Sequence, residues 1–136
     1  MFAGCPISWG SRLQTEIALS TTESEYIALS TAMREVIPFM GLLQEISDTF
    51  GILARKPVFK CTVWEDNDSC ITVANAPKFT PRTKHIAIKY HHFRSYVAKG
   101  SIIINPIDTS EQLADILTKP LKEKPFTYLR GKLMGW

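Results

Sequence analysis

Tyr26, Leu29, Met33, Val36, Met40, Leu43 and Ile46 recur at steps of three or four. That spacing places them on one stripe of an α-helix, and so long a stripe demands other elements to cover it. Thr22-Glu23-Ser24-Glu25 in front of the stripe has the S/T-x-x-E form of a capping box. Gly51 fits a C-terminal stop. Pro38 removes one backbone donor and disfavours helix at Ile37, which predicts a kink or break there.

Around this helix the sequence alternates. Phe2 to Trp9 reads as an opening strand with Pro6 near an edge or bulge, and Ile17 to Leu19 as a second short strand. Val58 to Trp64, rich in β-branched and aromatic residues, reads as a central strand. Ser69 to Asn75 is a short helix stopped before Pro77, and Pro77 to Arg82 is a loop. His85 to Lys99 reads as a helix with Ile86, Tyr90, Phe93 and Val97 on one face, closed by Gly100. Ser101 to Ile107 is a strand. Thr109-x-x-Gln112 opens a helix through Leu117, and Phe126 to Met134 forms a last one. Strands alternating with helices imply an α/β sandwich. At 136 residues, the chain has the size of one domain.

Uncharged stretches such as Ser101 to Ile107 are too short to span a bilayer, and the N-terminus lacks the pattern of a signal peptide. Cys5, Cys61 and Cys70 are odd in number and lack CxxC spacing, which argues against a disulfide framework and a zinc site. They read as buried thiols of a cytosolic or nuclear protein, not a secreted one.

Charge is unevenly distributed. The net charge is +3, yet no acidic residue occurs from Ser69 to Ile107. That segment carries Lys78, Arg82, Lys84, Lys89, Arg94, Lys99 and all three histidines. A basic block beside acidic flanks fits a polyanion partner, and equally a solvated surface. Arg82 and Lys84, on a proline-rich loop, are the expected contacts to a phosphate backbone, with His85 as a further candidate. Lys89, Arg94 and Lys99 fit ordinary solvent-facing charges, Lys89 being kept in the candidate set. Trp9, Trp64 and Trp136 read as packing.

Three carboxylates occupy informative positions. Glu25 lies in the first turn of the long helix, Asp66 at the C-terminal end of the central strand, and Asp115 inside the helix after the last strand. Sites in open α/β sheets form beyond the carboxyl ends of strands, and Mg²⁺ takes hard oxygen ligands. Each residue also has a purely structural explanation. Glu25 would complete the capping box. Asp66, with Asn67 and Asp68, would cap the next helix. Asp115 would pair with Lys119 at i,i+4. A calcium loop starting at Asp66 fails, because Ile71 and Pro77 stand where glycine and glutamate are needed.

Three ordered blocks resemble copia-type (Ty1/copia) retrotransposon polyproteins. PISWGSRLQTEIALSTTESEYIALSTAMREV is similar to that family's PISW segment and the ALS-TEAEY-ALS run after it. TKHIAIKYHHFR resembles its TKHIDI-YHF-R block, and TSEQLADILTKPL its EQLADILTKPL block. The likeness runs from about Gly4 to Leu133 and points to the C-terminal ribonuclease H domain, which follows the reverse transcriptase.

The resemblance implies an RNase H-like three-layer sandwich around a mixed sheet, as one domain over residues 1–136. It implies Mg²⁺-dependent hydrolysis of the RNA strand of an RNA–DNA hybrid, with Mn²⁺ as a substitute. The family uses carboxylates in the order Asp, Glu, Asp, Asp. Its Glu falls on Glu25, with Glu23 as second choice, and its later aspartates fall on Asp66 and Asp115. The first aspartate should precede the PISW segment, where this sequence has no acidic residue before Glu16. The expectation is an N-terminally truncated copy lacking the first strand, with impaired cleavage. Ala87 replaces the aspartate of the KHID block. Partners implied are the hybrid and the reverse transcriptase of the same polyprotein, in a cytoplasmic virus-like particle or the nucleus. The alternatives are a catalytically inactive nucleic-acid-binding remnant and a fragment docking on the reverse transcriptase.

Overall fold

The computed structural model describes residues 1–2, 4–51, 59–76, 86 and 88–135. These fall into two compact units, Ala18–Pro106 and a second formed by Met1–Ile17 with Ile107–Trp136.

The larger unit is built on α1 (Thr21–Phe50). Ser20 caps it: its hydroxyl accepts from the Glu23 N–H at 3.1 Å, and Glu23 Oε2 accepts from the Leu19 N–H at 2.7 Å. The capping motif is therefore Ser20 to Glu23, two residues earlier than the Thr22–Glu25 pattern predicts. It also engages Leu19, so Ile17 to Leu19 is no strand. The helix runs unbroken through Pro38 and ends at Gly51, whose φ of 57° permits its N–H to reach the Ser47 carbonyl. A single missing donor does not break a helix whose flanking Val36, Ile37 and Met40 pack against the core. One stretch of α1 has a mean hydropathy of 1.2 and could cross a bilayer by length and composition. Its stripe is instead covered at Tyr26, Leu29 and Met33, all buried. The far half of α1 is more open, with Leu42, Ile46 and Phe50 exposed.

Two parallel strands follow, β1 (Cys61–Glu65) and β2 (Ile102–Pro106), in register from Cys61–Ile102 to Glu65–Pro106. The predicted central strand is thus present from Cys61 on, while Val58 lies outside the described residues. Between the strands stand α2 (Asp68–Asn75), a 3₁₀ turn (Ile88–His91) and α3 (Arg94–Ala98). The expected continuous helix from His85 to Lys99 is broken at His92 and Phe93. Its spacing still holds: Ile86, Tyr90 and Phe93 are buried against Tyr26, Met33, Cys70 and Ile102. Gly100, at φ 72°, turns the chain into β2. The sheet is one-sided. Cys61, Val63 and Glu65 alternate with exposed Thr62 and Trp64, and Ile103 is exposed opposite them. Trp64 and Trp9, expected as packing residues, are both exposed, and Trp136 lies outside the described residues.

In the second unit, Phe2 and Cys5 exchange backbone hydrogen bonds of 2.8 and 2.9 Å around Gly4 at φ 81°. That tight turn replaces the predicted opening strand and leaves Cys5 exposed. Asp108, not Thr109, caps the next turn by accepting from the Ser110 N–H at 2.8 Å. The predicted helix to Leu117 resolves into a 3₁₀ turn (Thr109–Glu111) and α4 (Asp115–Thr118). The last helix, α5 (Glu123–Met134), begins earlier than Phe126. Pro125 sits in its first turn, where a missing N–H removes no helical bond.

The mixture of helices with a parallel strand pair is consistent with an α/β class.

Candidate functional site

Capping accounts for the neighbours of the candidate carboxylates, not for Glu25 and Asp66 themselves. At the start of α1 the work falls to Ser20 and Glu23. At the start of α2, Asn67 Oδ1 accepts from the Cys70 N–H at 2.9 Å. Glu23, the second choice for the family's glutamate, is thus committed to the helix terminus, and Glu25 stands a half-turn further along. Asp66 lies just past the carboxyl end of β1.

Glu65, which stands beside Asp66 and outside the candidate set, also feels the charges of Glu25 and Asp66. Glu65 ends β1 on its buried face and is only 6% exposed. Burial holds its carboxyl above the usual range, and the charges of Glu25 and Asp66 push it further the same way. The Asn67 N–H, 3.1 Å from Glu65 Oε1, opposes the shift, as does the Cys70 thiol. Cys70 itself is fully buried, and burial together with Glu65, Glu25 and Asp66 raises its thiol far above the ordinary value. A thiol so protonated is a poor nucleophile. Strand alternation could have signalled Glu65: counting by twos from Cys61 and Val63 puts a carboxylate on the core side.

Asp115 begins α4 in the other unit and is 8% exposed. Its carboxylate is held by Lys119, with N–O distances of 2.8 and 2.9 Å. The i,i+4 pair expected from the sequence is present.

Behind Glu25, α1 turns Tyr26 into the core. Its hydroxyl meets His91 Nδ1 at 2.8 Å, and its ring lies 5.5 Å from that of Phe93. Burial keeps the phenol protonated well above its usual range, with Arg94 opposing. Burial, aided by Arg94, pushes His91 below its usual value against the pull of a bond to the Ile86 backbone. A protonated phenol donates to Nδ1 in the tautomer of the neutral imidazole that carries its proton on Nε2. His92 is exposed, with Nδ1 3.5 Å from the Ser30 hydroxyl.

Of the nucleic-acid candidates, Arg82, Lys84 and His85 lie outside the described residues. Lys89 is exposed and holds its ammonium 5.0 Å from the centre of the Tyr90 ring. Arg94 is not the solvent-facing charge expected: it is half-buried and donates to the Ala76 carbonyl.

Among the described residues, no group of three or more His, Cys, Asp or Glu side chains is arranged to hold a metal ion. Mg²⁺ commonly takes one or two carboxylates and completes its octahedron with water and substrate oxygens. The pair Glu25 and Asp66 fits that pattern in donor chemistry, and does not fit a closed zinc-type site.

No family model matches the chain, and no solved structure matches it. Curated proteins do. The chain is 38% identical over 129 residues to the retrovirus-related Pol polyprotein from transposon RE1 of Arabidopsis thaliana, covering 94% of this chain and 8% of that one. It is 38% identical over 125 residues to the corresponding polyprotein from transposon TNT 1-94 of Nicotiana tabacum, covering 92% and 9%. It is 33% identical over 115 residues to the transposon Ty1-DR1 Gag-Pol polyprotein of Saccharomyces cerevisiae, covering 83% and 6%. The chain belongs to the copia-type retrotransposon Pol family. It spans less than a tenth of the length of these relatives.

Proposed function

We propose that this segment is a ribonuclease H domain of RNase H-like fold, acting on the RNA strand of RNA–DNA hybrids. The observation that carries this reading is the place of Asp66 just past the carboxyl end of a parallel strand, with Glu25 near the head of α1. Both stand at positions the family resemblance assigns, and both are relieved of capping by their neighbours. Glu25 and Asp66 would hold Mg²⁺ or Mn²⁺, with Asp115 as the third assigned carboxylate. Such an ion, when bound, supplies an activated water and offsets charge building on the phosphodiester.

The chain's own residues set up this chemistry. Asn67 fixes the turn after β1 through two bonds, to Glu65 Oε1 and from the Cys70 N–H, and so displays Asp66 beyond the strand end. The Tyr26–His91 bond anchors the helical turn that carries Glu25. Lys119 balances Asp115. The segment free of acidic residues between Ser69 and Ile107 would hold the hybrid backbone, through Arg82, Lys84, His85 and Lys89. The domain would work beside the reverse transcriptase of its polyprotein, in a cytoplasmic particle or the nucleus.

One observation favours a second reading, a catalytically inactive nucleic-acid-binding remnant: the described residues assemble no three-membered metal-ligand group. A hybrid with a labelled RNA strand separates the two. Mg²⁺-dependent cutting that disappears in Glu25→Gln and Asp66→Asn supports the enzyme. Salt-sensitive binding without cutting supports the remnant. Neither binding nor cutting overturns both.

A further inference from the structure

We propose that the cleft between the C-terminal end of α2 and α3 binds a phosphate of a polynucleotide backbone. This rests on the nucleic-acid reading above and gives it a second point of attachment, apart from the carboxylates. The cleft is open to solvent and holds about 560 Å³. Its polar lining is Asn75, His91, Arg94 and Ser95; the remainder is alanine and valine. No carboxylate lines it, because every lining residue falls in the stretch without acidic residues.

Three features suit a phosphodiester. The Arg94 guanidinium is fixed at the cleft wall by its bond to the Ala76 carbonyl, so its planar fork is oriented in advance. Apolar walls lower the local dielectric and strengthen a guanidinium–phosphate attraction. The Asn75 amide, which donates one N–H to the Ile71 carbonyl at 3.0 Å, keeps a second for an anion, and the Ser95 hydroxyl would turn from its long 3.4 Å bond to the His92 carbonyl. His91 lies under the same wall, and the Arg94 charge helps to hold it neutral. An anion in the cleft would reverse that influence and raise the His91 titration midpoint.

The test uses the full 136-residue chain. Affinity for an RNA–DNA hybrid is measured over a range of salt for the wild type, Arg94→Gln and Ser95→Asp. Ser95 is exposed, so the aspartate adds an anion to the cleft without disturbing the core. Both variants should bind more weakly, and Arg94→Gln should flatten the log–log salt slope by about one. Inorganic phosphate should shift the amide resonances of Asn75 and Ser95 in the wild type, and not in Ser95→Asp. Hybrid affinity and slope unchanged in both variants would overturn the cleft assignment. Mg²⁺-dependent cleavage could persist in that case, leaving the nuclease reading intact. A chain that binds phosphate in the cleft but no hybrid at any salt would overturn the polynucleotide assignment together with that reading.

Discussion

Asn67, not Asp66, caps α2: its side-chain oxygen accepts from the Cys70 N–H at 2.9 Å. The division of labour has a measurable consequence. Removing the cap in Asn67→Ala should lower stability by about 1 kcal/mol. Asp66→Asn should stay within about 0.5 kcal/mol of the wild type, as surface changes outside such motifs do. Denaturant unfolding of the two variants checks this. A larger loss for Asp66→Asn would make Asp66 a structural residue.

The same contrast applies at the head of α1. Ser20 and Glu23 satisfy the helix terminus, and Glu25 has no part in that motif. Ser20→Ala should cost about 1 kcal/mol, and Glu23→Gln less, because an amide oxygen still accepts from Leu19. Glu25→Gln should leave the helix onset unchanged, as read by hydrogen exchange of the Leu19 and Glu23 amides. Faster exchange there in Glu25→Gln would return Glu25 to a capping role.

Much of this arrangement is legible in the sequence because it is local. The α1 stripe and the spacing of Ile86, Tyr90 and Phe93 follow from periodicity, and the strand expected over Val58 to Trp64, found at Cys61–Glu65, from its β-branched and aromatic residues. Capping registers are less legible: Ser20 and Thr22 each stand three residues before a glutamate, and the bonds from the Glu23 N–H to Ser20 and from the Leu19 N–H to Glu23 distinguish them. The turn at Phe2–Cys5 depends on the positive φ of Gly4, which an apolar run conceals. The break at His92 and Phe93 is tertiary in origin. His91 is held by Tyr26, 65 residues away in sequence, and Phe93 is drawn fully into the core. In the sequence Glu65 is masked by the acidic run Glu65-Asp66-Asn67-Asp68 that it opens. Its burial follows from strand alternation combined with helix cover, and only the latter needs the fold.

Burial of His91, with the Arg94 charge beside it, makes stability depend on pH. The His91 pKa is lower in the folded chain than the ordinary 6.5, so the unfolded chain binds more protons near that pH. The contribution is present in full above 6.5. It declines as pH falls through 6.5 toward the folded value. Unfolding free energy should therefore drop between pH 7.5 and 5.5, and the drop should shrink in His91→Asn. Tyr26→Phe leaves the His91 nitrogen without its phenol donor and should cost about 1–2 kcal/mol. A pH dependence identical in wild type and His91→Asn would remove His91 as its source.

Divalent cations give the sharpest separation between structural and functional roles for the carboxylates. Burial above all, and after it the charges of Glu25 and Asp66, raise the Glu65 carboxyl at the end of β1, so part of that shift is like-charge repulsion. A cation binding the folded chain alone should relieve that repulsion and stabilise the fold by mass action. The gain is about 2.7 kcal/mol when free cation is a hundred times its Kd. Tm should rise with Mg²⁺ or Mn²⁺ and fall back on chelation. Asp66→Asn should abolish most of the rise, because Asp66 is both a repelling charge and an assigned ligand. Lys119→Ala, which removes the partner of Asp115 in the other unit, should alter the basal Tm more than its response to cation. Equal Tm rises in wild type and Asp66→Asn would place the cation elsewhere and leave Glu25 and Asp66 as surface acids.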